Sequence, residues 1–303
     1  MLVEFGAKDF VEPLVGRGPV SGPMAVDQLQ AQYGRDIEFV PYESVRGSDL
    51  NSGRPPGIKS FGEFSDILRS YNETKVPVPF NLAWNGGAGL TPDEVVEAAT
   101  TGLGKKLLDN LAMVGDDNGV QNYITILRDE LLEVIKDLYP GLKTVASCIR
   151  FTENDPEGVK ALYRASFENF DYVVPLPQHT KVAFLRSFHR YAAQMMVFPT
   201  LGCARPDLGD CKRHFLSEDS SVHVEWVYEG CQMRAPSSSL ISRSHDARGL
   251  LKMGVENLKF ARRPGQVNHS IAFGLKEMFR FMNKPGFGLR RPLTDLLRSR
   301  STP

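Results

Sequence analysis

The sequence has few cysteines and no long apolar run. Its 303 residues include four cysteines, Cys148, Cys203, Cys211 and Cys231. That number is too small for a disulfide-rich scaffold and is typical of proteins in a reducing compartment. No run of about 18 apolar residues occurs, so we expect no membrane helix. The first residues lack a basic start followed by an apolar block, so we also expect no signal peptide. These observations predict a cytoplasmic protein without a membrane partner.

The common enzyme signatures are also missing. The chain contains no G-x-S-x-G, H-E-x-x-H, P-loop or kinase motif. The segment Asn85-Gly-Gly-Ala-Gly lacks the Lys-Ser/Thr of a P-loop and the spacing of a dinucleotide fingerprint, so we interpret it as a flexible turn. None of the six histidines has a recognisable Ser, Cys or Asp partner. The sequence therefore assigns no catalytic residue and no cofactor, although distant residues could still assemble a site.

One group of possible metal ligands lies close together in the sequence. Cys203, Cys211, His214 and Cys231 are residue types that bind zinc, and His223 lies among them. Their separations differ from those of zinc fingers and ribbons, and no C-x-x-C is present. We therefore predict no metal site here. The alternative is that these residues line an enzyme pocket in the region 203–231.

Charge is distributed unevenly along a chain whose net charge is zero. Residues 234–303 carry 14 Lys/Arg and 4 Asp/Glu, and the rest of the chain is correspondingly acidic. A basic end is typical of proteins that bind an anionic partner, commonly nucleic acid. It could equally contact the acidic part of the same chain or of a neighbouring copy.

The segment 155–198 has the clearest helical pattern. Asp155 can cap a helix with Pro156 at its first position. The apolar face of that helix is formed by Val159, Leu162, Tyr163, Ser166, Phe167 and Phe170. Pro175 and Pro177 end it, and a second helix is predicted from about Lys181 to Val197. The segment is therefore expected to form a helical hairpin.

Other segments predict further helices and a few strands. Helices are expected at 61–71, after the Thr91 cap, over 121–139, after Asp246 and at about 268–282. Alternation predicts strands at 37–42 and 222–228, and Pro41 suggests that the first is an edge strand. The expected fold is mainly α with a small β component (α+β), a helical core with a short β-hairpin and extended arms. We divide the chain into an N-terminal arm and lead-in (1–60), a helical core (61–198) and a hairpin, linker and basic helical C-terminal region (199–303).

Several basic side chains could contact phosphate, because the arginine fork suits its geometry. Arg186 and Arg190 lie four residues apart on the second helix of the hairpin, where a like-charged pair is unfavourable without an anion opposite. Arg-Arg-Pro occurs twice near phenylalanines, a combination that fits single-strand binding. The full set of candidate nucleic-acid contacts is Lys181, Arg186, Arg190, Arg262, Arg263, Arg290 and Arg291. The alternative is that these residues form a solvated basic edge or dock on protein.

The segment Arg164-Ala-Ser-Phe-Glu-Asn-Phe-Asp171 resembles the aromatic-Asp segment of coat proteins of flexible filamentous plant viruses. Two earlier segments, 89–96 and 131–140, fall in a compatible order, so the resemblance covers about 90–175. Residues 199–303 depart from the family pattern because they are far longer than the usual tail. The resemblance implies a mostly helical RNA-coating protomer in which Arg164 and Asp171 form a structural ion pair or line the RNA groove.

The leading hypothesis is therefore a non-enzymatic, RNA-binding structural protein, a nucleoprotein or coat subunit. It would bind RNA without sequence preference, form a homo-oligomer and occur in the virion or host cytoplasm. Two alternatives remain: an enzyme with a pocket near 203–231, and a scaffold subunit of a larger protein complex.

Overall fold

A computed structural model describes residues 1–6, 26, 37–50, 58–87, 89–151, 155–199, 240 and 243–260. The expected strand at 222–228, the helix at about 268–282 and the residues Arg262, Arg263, Arg290 and Arg291 lie outside these ranges. Among the described residues, no helix is both long and apolar enough to cross a membrane.

The core of the fold is one parallel sheet whose eight described strands follow the order β6-β5-β4-β3-β2-β1-β8-β7. A parallel bridge from Val173 to Met195 brings the two ends of this sheet together, so that it forms a nearly closed barrel. The strands are β1 (Leu2–Gly6), β2 (Glu38–Glu43), β3 (Asn81–Trp84), β4 (Tyr123–Ile126), β5 (Lys143–Ala146), β6 (Tyr172–Val173), β7 (Met196–Val197) and β8 (Asn257–Lys259).

Helices alternate with the strands along the described chain. They are α1 (Phe61–Asn72), α2 (Pro92–Thr100), α3 (Gly102–Asp117), α4 (Asp129–Leu138), α5 (Pro156–Asn169), α6 (Val182–Leu185) and α7 (Ser244–Lys252). Short 3₁₀ segments occupy Cys148–Phe151, Pro177–His179 and Arg186–Gln194. This βα alternation around a parallel sheet is an α/β fold.

Two of the three helix starts assigned to capping residues were predicted correctly; the third, after Asp246, is wrong because α7 begins at Ser244 with Arg243 as its N-cap. Thr91 and Glu94 form a reciprocal capping box at the start of α2. Asp155 caps α5 by accepting hydrogen bonds from the backbone of Glu157 and Gly158. The expected helix at 61–71 is α1, with Phe64, Leu68 and Tyr71 buried.

The predicted fold class, mainly α with a short hairpin, is wrong. The largest error concerns the predicted helix at 121–139, of which residues 123–126 form strand β4 and only 129–138 form helix α4. All four residues of β4 are buried. A parallel strand buried on both faces has no alternation, and its short apolar run merges with a neighbouring helical pattern.

Two further elements differ from expectation. Strand β2 contains Pro41 but pairs with β1 on one side and β3 on the other, so it is not an edge strand. The second helix of the predicted hairpin is a short helix followed by a 3₁₀ segment, and it ends where β7 begins at Met196. The strands at residues 2–6, 81–84 and 257–259 all belong to one sheet. The division of the chain into three regions stays a prediction.

The barrel separates two apolar cores. Alternate residues of each strand point in opposite directions, because the side-chain period of a strand is two. One set packs under the helices and includes Val3, Phe39, Leu82, Ile124 and Leu258. The other set forms the smaller core inside the barrel, made of Leu2, Val40, Tyr123, Val145, Ile149, Val174, Met196 and Phe198. The barrel interior is therefore filled with side chains, as in other parallel barrels.

Close packing of the outer helices depends on Gly104. A Cβ at this position would lie 1.8 Å from the carbonyl oxygen of Ala98. Only glycine allows α2 and α3 to approach so closely at their junction.

Candidate functional site

Five polar side chains lie together inside the barrel. The central polar cluster consists of Glu4 on β1, Tyr42 on β2, Asn81 on β3, Thr125 on β4 and Lys259 on β8. Glu4 and Asn81 are fully buried, and Lys259 is only 7% exposed. Buried charges are rare unless they are paired, so this group differs from the apolar filling around it.

The carboxylate of Glu4 lies at the centre of the cluster. Its Oε2 forms an ion pair with Lys259 Nζ, and its Oε1 accepts a hydrogen bond from Asn81 Nδ2. Both carboxylate oxygens are therefore engaged, and the two charges compensate each other.

The other members of the cluster hold this pair in place. Asn81 Nδ2 also lies 2.9 Å from Thr125 Oγ1, which in turn donates to Asn81 Oδ1 over 3.2 Å. Lys259 Nζ lies 4.4 Å from the centre of the Tyr42 ring. A ring face at this distance attracts a cation. The Tyr42 hydroxyl donates to the carbonyl oxygen of Phe260 over 3.0 Å, so the ring is fixed against the end of β8.

The position of the cluster along the barrel is set by the strands. Lys259 is the last residue of β8 and Tyr42 the last but one of β2, whereas Glu4 is the middle residue of β1 and Asn81 the first of β3. The cluster therefore crosses the middle of the barrel, and only its Lys259 and Tyr42 side reaches the carboxyl ends of the strands. The carboxyl ends of the strands form the face on which parallel-barrel enzymes assemble their sites. A carboxylate can act there as a general base, and an ammonium can stabilise a developing oxyanion.

The backbone following β3 is fixed at the same face. Arg128, which follows β4, donates to the carbonyl oxygens of Gly87 (2.7 Å) and Leu90 (3.0 Å) and forms an ion pair with Glu130. Hydrogen bonding to the Arg128 guanidinium lowers the pKa of Glu130. Gly87 has a φ of +78°, a conformation that favours glycine. The segment predicted to be a flexible turn is thus hydrogen-bonded to its neighbours at Gly87.

A side-chain acceptor also lies close to this backbone. The Oδ1 atom of Asn85, the first residue after β3, is buried and has no hydrogen-bond partner among the described residues. The residue has the same parity as Asn81 on the strand, so it extends the polar side of β3 toward the carboxyl end.

A second polar group fills the opposite end of the barrel. The amino-end cluster consists of Glu38, Tyr123, Lys143 and Tyr172, which are the first residues of β2, β4, β5 and β6. The Tyr123 hydroxyl donates to Glu38 Oε1 over 2.8 Å and accepts from Lys143 Nζ over 3.1 Å. Burial raises the pKa of Tyr123, and the negative charge of Glu38 adds to this effect. The phenol therefore stays protonated between the acid and the amine.

A histidine lies just beyond the carboxyl end of β6. His179 Nδ1 lies 3.1 Å from the hydroxyl of Tyr163, a buried residue of α5. Burial, with a contribution from Lys181, lowers the pKa of His179 to about 4. This imidazole is neutral at pH 7.

Three of the basic residues predicted to contact phosphate lie in the described part of the chain, and the structure does not bring them together with the central polar cluster. Lys181, Arg186 and Arg190 are exposed on the segment between β6 and β7. The Arg190 guanidinium lies 3.6 Å from the Glu168 carboxylate and over the Tyr191 ring. The role of these residues as phosphate contacts stays a prediction.

Arg164 and Asp171, the two residues predicted to form an ion pair, have different surroundings in the structure. Asp171 accepts hydrogen bonds from the backbone N–H (2.7 Å) and the hydroxyl (2.9 Å) of Thr144. Arg164 is exposed on α5, and no ion pair within 4.0 Å joins it to Asp171, both residues lying in the described part of the chain.

The predicted absence of a metal site is not tested at the residues for which it was made. Cys203, Cys211, His214 and Cys231 lie outside the described residues. Within the described ranges, no group of three or more His, Cys, Asp or Glu side chains could hold a metal ion. The remaining cysteine, Cys148, is half-buried after β5.

Sequence reasoning missed the whole central polar cluster. Glu4 lay in a segment interpreted as an arm, and Lys259 lay in a region interpreted as a basic tail. The only local signal was a single charged residue within each of two short apolar runs, Leu2-Val3-Glu4-Phe5 and Leu258-Lys259-Phe260. Glu4 and Lys259 are 255 positions apart in the sequence, so their pairing could not be predicted from it.

Comparisons with known proteins give limited relationships. No family model matches the chain. It is 29% identical over 105 residues to a proteasome subunit beta of Mycolicibacterium gilvum (strain PYR-GCK), a match that covers 35% of this chain and 33% of that protein. The chain thus spans about a third of the length of this relative.

Two solved structures are distantly similar. One, described as the crystal structure of AsfvAP:AG, has a TM-score of 0.42 and 10% identity, covering 92% of this chain and 97% of that one. The other, a Xaa-Pro dipeptidase with bound methionine in the active site, has a TM-score of 0.32 and 13% identity, covering 98% of this chain and 64% of that one. Both scores are too low to support an argument.

The hypothesis of an RNA-binding structural protein is wrong, together with the capsid, virion and nucleoprotein assignments and the RNA partner. The parallel α/β barrel replaces the helical protomer on which it depended, and the sequence match is to a proteasome subunit. The resemblance of residues 90–175 to coat proteins stays a prediction about the sequence alone.

Proposed function

We propose that the protein is a hydrolase whose reaction takes place at the central polar cluster. The observation that carries this proposal is the ion pair of Glu4 and Lys259 inside the barrel, at the end of β8. A buried charge pair is a costly way to fill a barrel, because both ions lose most of their hydration. Functional chemistry is one reason for a protein to keep such a pair.

The pair has the groups that hydrolysis of an ester or amide requires. The Glu4 carboxylate would take a proton from water as the hydroxide adds to the acyl carbon. The Lys259 ammonium would stabilise the negative charge that forms on the acyl oxygen. The proton held by Glu4 would then pass to the leaving alcohol or amine as its bond to the acyl carbon breaks.

The neighbouring polar groups would orient this reaction. Asn81 holds one oxygen of the Glu4 carboxylate, so the orientation of that carboxylate is fixed. Tyr42 limits the movement of the Lys259 ammonium by packing its ring against it. A pre-oriented base and cation lower the barrier because they need not reorganise during the reaction.

A panel of p-nitrophenyl esters and aminomethylcoumarin peptides tests the proposal. The wild type should hydrolyse at least one of them, and Glu4→Gln should lower kcat/KM by about 100-fold or more, as expected on removal of a general base. Glu38→Gln is the matched control, because it changes the same residue type in the amino-end cluster and should keep most of the activity. Equal activity of both variants and the wild type would contradict the proposal.

A second candidate function is that of a subunit in a larger protein complex. The sequence match is to a protein named as a subunit of an assembly. Light scattering after size-exclusion chromatography, at low and high salt, would detect such an association.

The proposal also includes the cytoplasmic location that the low cysteine content predicts.

A further inference from the structure

The pair of Tyr163 and His179 has a defined pattern of donors and acceptors. The Tyr163 oxygen accepts a hydrogen bond from the backbone N–H of Leu176 over 3.1 Å and lies 3.1 Å from His179 Nδ1. Burial raises the pKa of the phenol, so it keeps its proton. Since a backbone N–H can only donate, the hydroxyl proton is directed to His179 Nδ1.

This arrangement decides the tautomer of the histidine. A neutral imidazole carries one proton, and its unprotonated nitrogen accepts. With Nδ1 accepting from the phenol, the ring proton of His179 lies on Nε2. The opposite tautomer would leave the Tyr163 proton buried without this acceptor, which is costly.

Aromatic rings fix the orientation of the imidazole. It stacks on Phe184 with ring centres 4.9 Å apart and meets the edge of Tyr163 at 5.8 Å. Pro175 and Pro177 restrict the backbone between β6 and this ring. The Nδ1 edge faces the buried phenol, so the Nε2–H edge is directed away from it.

We propose that His179 is a substrate-binding residue that donates its Nε2–H to a carbonyl or carboxylate oxygen of the substrate. Tyr163 is the positioning residue that fixes the tautomer. The location supports this role, because His179 is partly exposed and follows β6 on the carboxyl-end face of the barrel. This inference rests on the proposed hydrolytic function of the same face.

Nitrogen NMR of the protein labelled with ¹⁵N-histidine tests the tautomer without any substrate. His179 is identified by the signal that disappears in His179→Gln. At pH 7 its Nε2 should be protonated and its Nδ1 unprotonated, and Tyr163→Phe should convert this state into a mixture of tautomers. A cationic ring or a protonated Nδ1 in the wild type would overturn the inference.

Kinetics on a hydrolysed p-nitrophenyl ester test the contact with substrate. His179→Phe keeps a ring but removes the donor, and it should raise KM about 10-fold, which corresponds to the loss of one hydrogen bond. His179→Gln keeps an N–H donor and should restore most of the affinity. His189→Phe, a change at an exposed histidine, is the control.

The outcomes separate this inference from the proposed function. If Glu4→Gln loses activity but His179→Phe and His179→Gln both bind like the wild type, only the substrate contact of His179 is wrong. If Glu4→Gln keeps full activity, the proposed function fails, while the NMR result still decides the role of Tyr163.

Discussion

The two polar clusters inside the barrel each contain a glutamate, a lysine and a tyrosine, but in different arrangements. In the amino-end cluster, a tyrosine hydroxyl lies between the Glu38 carboxylate and the Lys143 ammonium. In the central cluster, Glu4 and Lys259 are in direct contact, and an amide holds the carboxylate. In the amino-end cluster, the neutral phenol links the acid and the amine by hydrogen bonds and so fills that end of the barrel. In the central polar cluster, the direct contact places a base and a cation next to each other.

Depth in the barrel adds to this difference. Lys143 is half-buried, whereas Glu4 is fully buried. A buried ion that loses its partner has no water to replace it, so the cost of breaking a pair increases with burial. The two lysines should therefore differ strongly in what their removal does.

The largest effect is expected from Lys259→Met. This change leaves the Glu4 carboxylate buried without its cation and should lower the free energy of unfolding by about 3–5 kcal/mol. Adding Glu4→Gln should restore most of that loss, because the remaining neutral amide needs no cation. Urea unfolding of both variants measures this. A single variant as stable as the wild type would show that the pair is not formed.

Lowering the pH should change the stability of the protein through His179, in contrast to the two polar clusters. Its folded-state pKa of about 4 lies below the ordinary value of 6.5, so the unfolded chain binds the extra proton more readily. Stability is therefore complete above about pH 6.5 and decreases as the pH falls toward 4. The ionisable groups near the ring are Tyr163 from α5 and Lys181 from its own segment. Thermal unfolding between pH 7 and 4.5 should show a smaller decrease in His179→Gln than in the wild type; equal decreases would exclude this histidine as the cause.

A substitution outside the barrel gives a reference value for the loss in free energy of unfolding. Thr91→Ala removes the cap of α2 and should lower the free energy of unfolding by about 1 kcal/mol, without affecting turnover. Thermal unfolding and an activity assay on the same preparation measure both. Thr91→Ser, which keeps the hydroxyl, should retain most of the stability.

The smallest effect is expected from Lys143→Met in the amino-end cluster. The change removes one hydrogen bond to Tyr123 and should cost about 1 kcal/mol or less, since the amine is half-buried. The comparison of the clusters depends on this value being well below that of Lys259→Met. Similar losses in both variants would show that the clusters are equivalent.

The sequence allowed correct prediction of features that depend on neighbouring residues. The caps at Thr91 and Asp155 involve contacts within three residues, and both were predicted. The barrel depends on pairing between distant segments. Strand β8 pairs with β1 across most of the chain, and β6 and β7 have two residues each, too few for a recognisable pattern.

The central polar cluster could not be predicted for the same reason. Its residues come from five strands, and each one is a single polar side chain in a short apolar segment. Arg186 and Arg190 were predicted as contacts instead, because their spacing in the sequence forms a visible pattern, although both lie on the surface. The clustered charges in the sequence belong to the surface. The central polar cluster depends instead on which strands pair in the sheet and in which register.

The double variant Glu4→Gln/Lys259→Met separates a catalytic role of the ion pair from a structural one, because it removes the charges while keeping the shape of the barrel. Its turnover of the ester or peptide that the wild type hydrolyses should be measured beside its unfolding curve. We expect a folded protein of near-wild-type stability with at least about 100-fold lower kcat/KM. A folded double variant with wild-type turnover would contradict it, since the pair would then serve the fold alone.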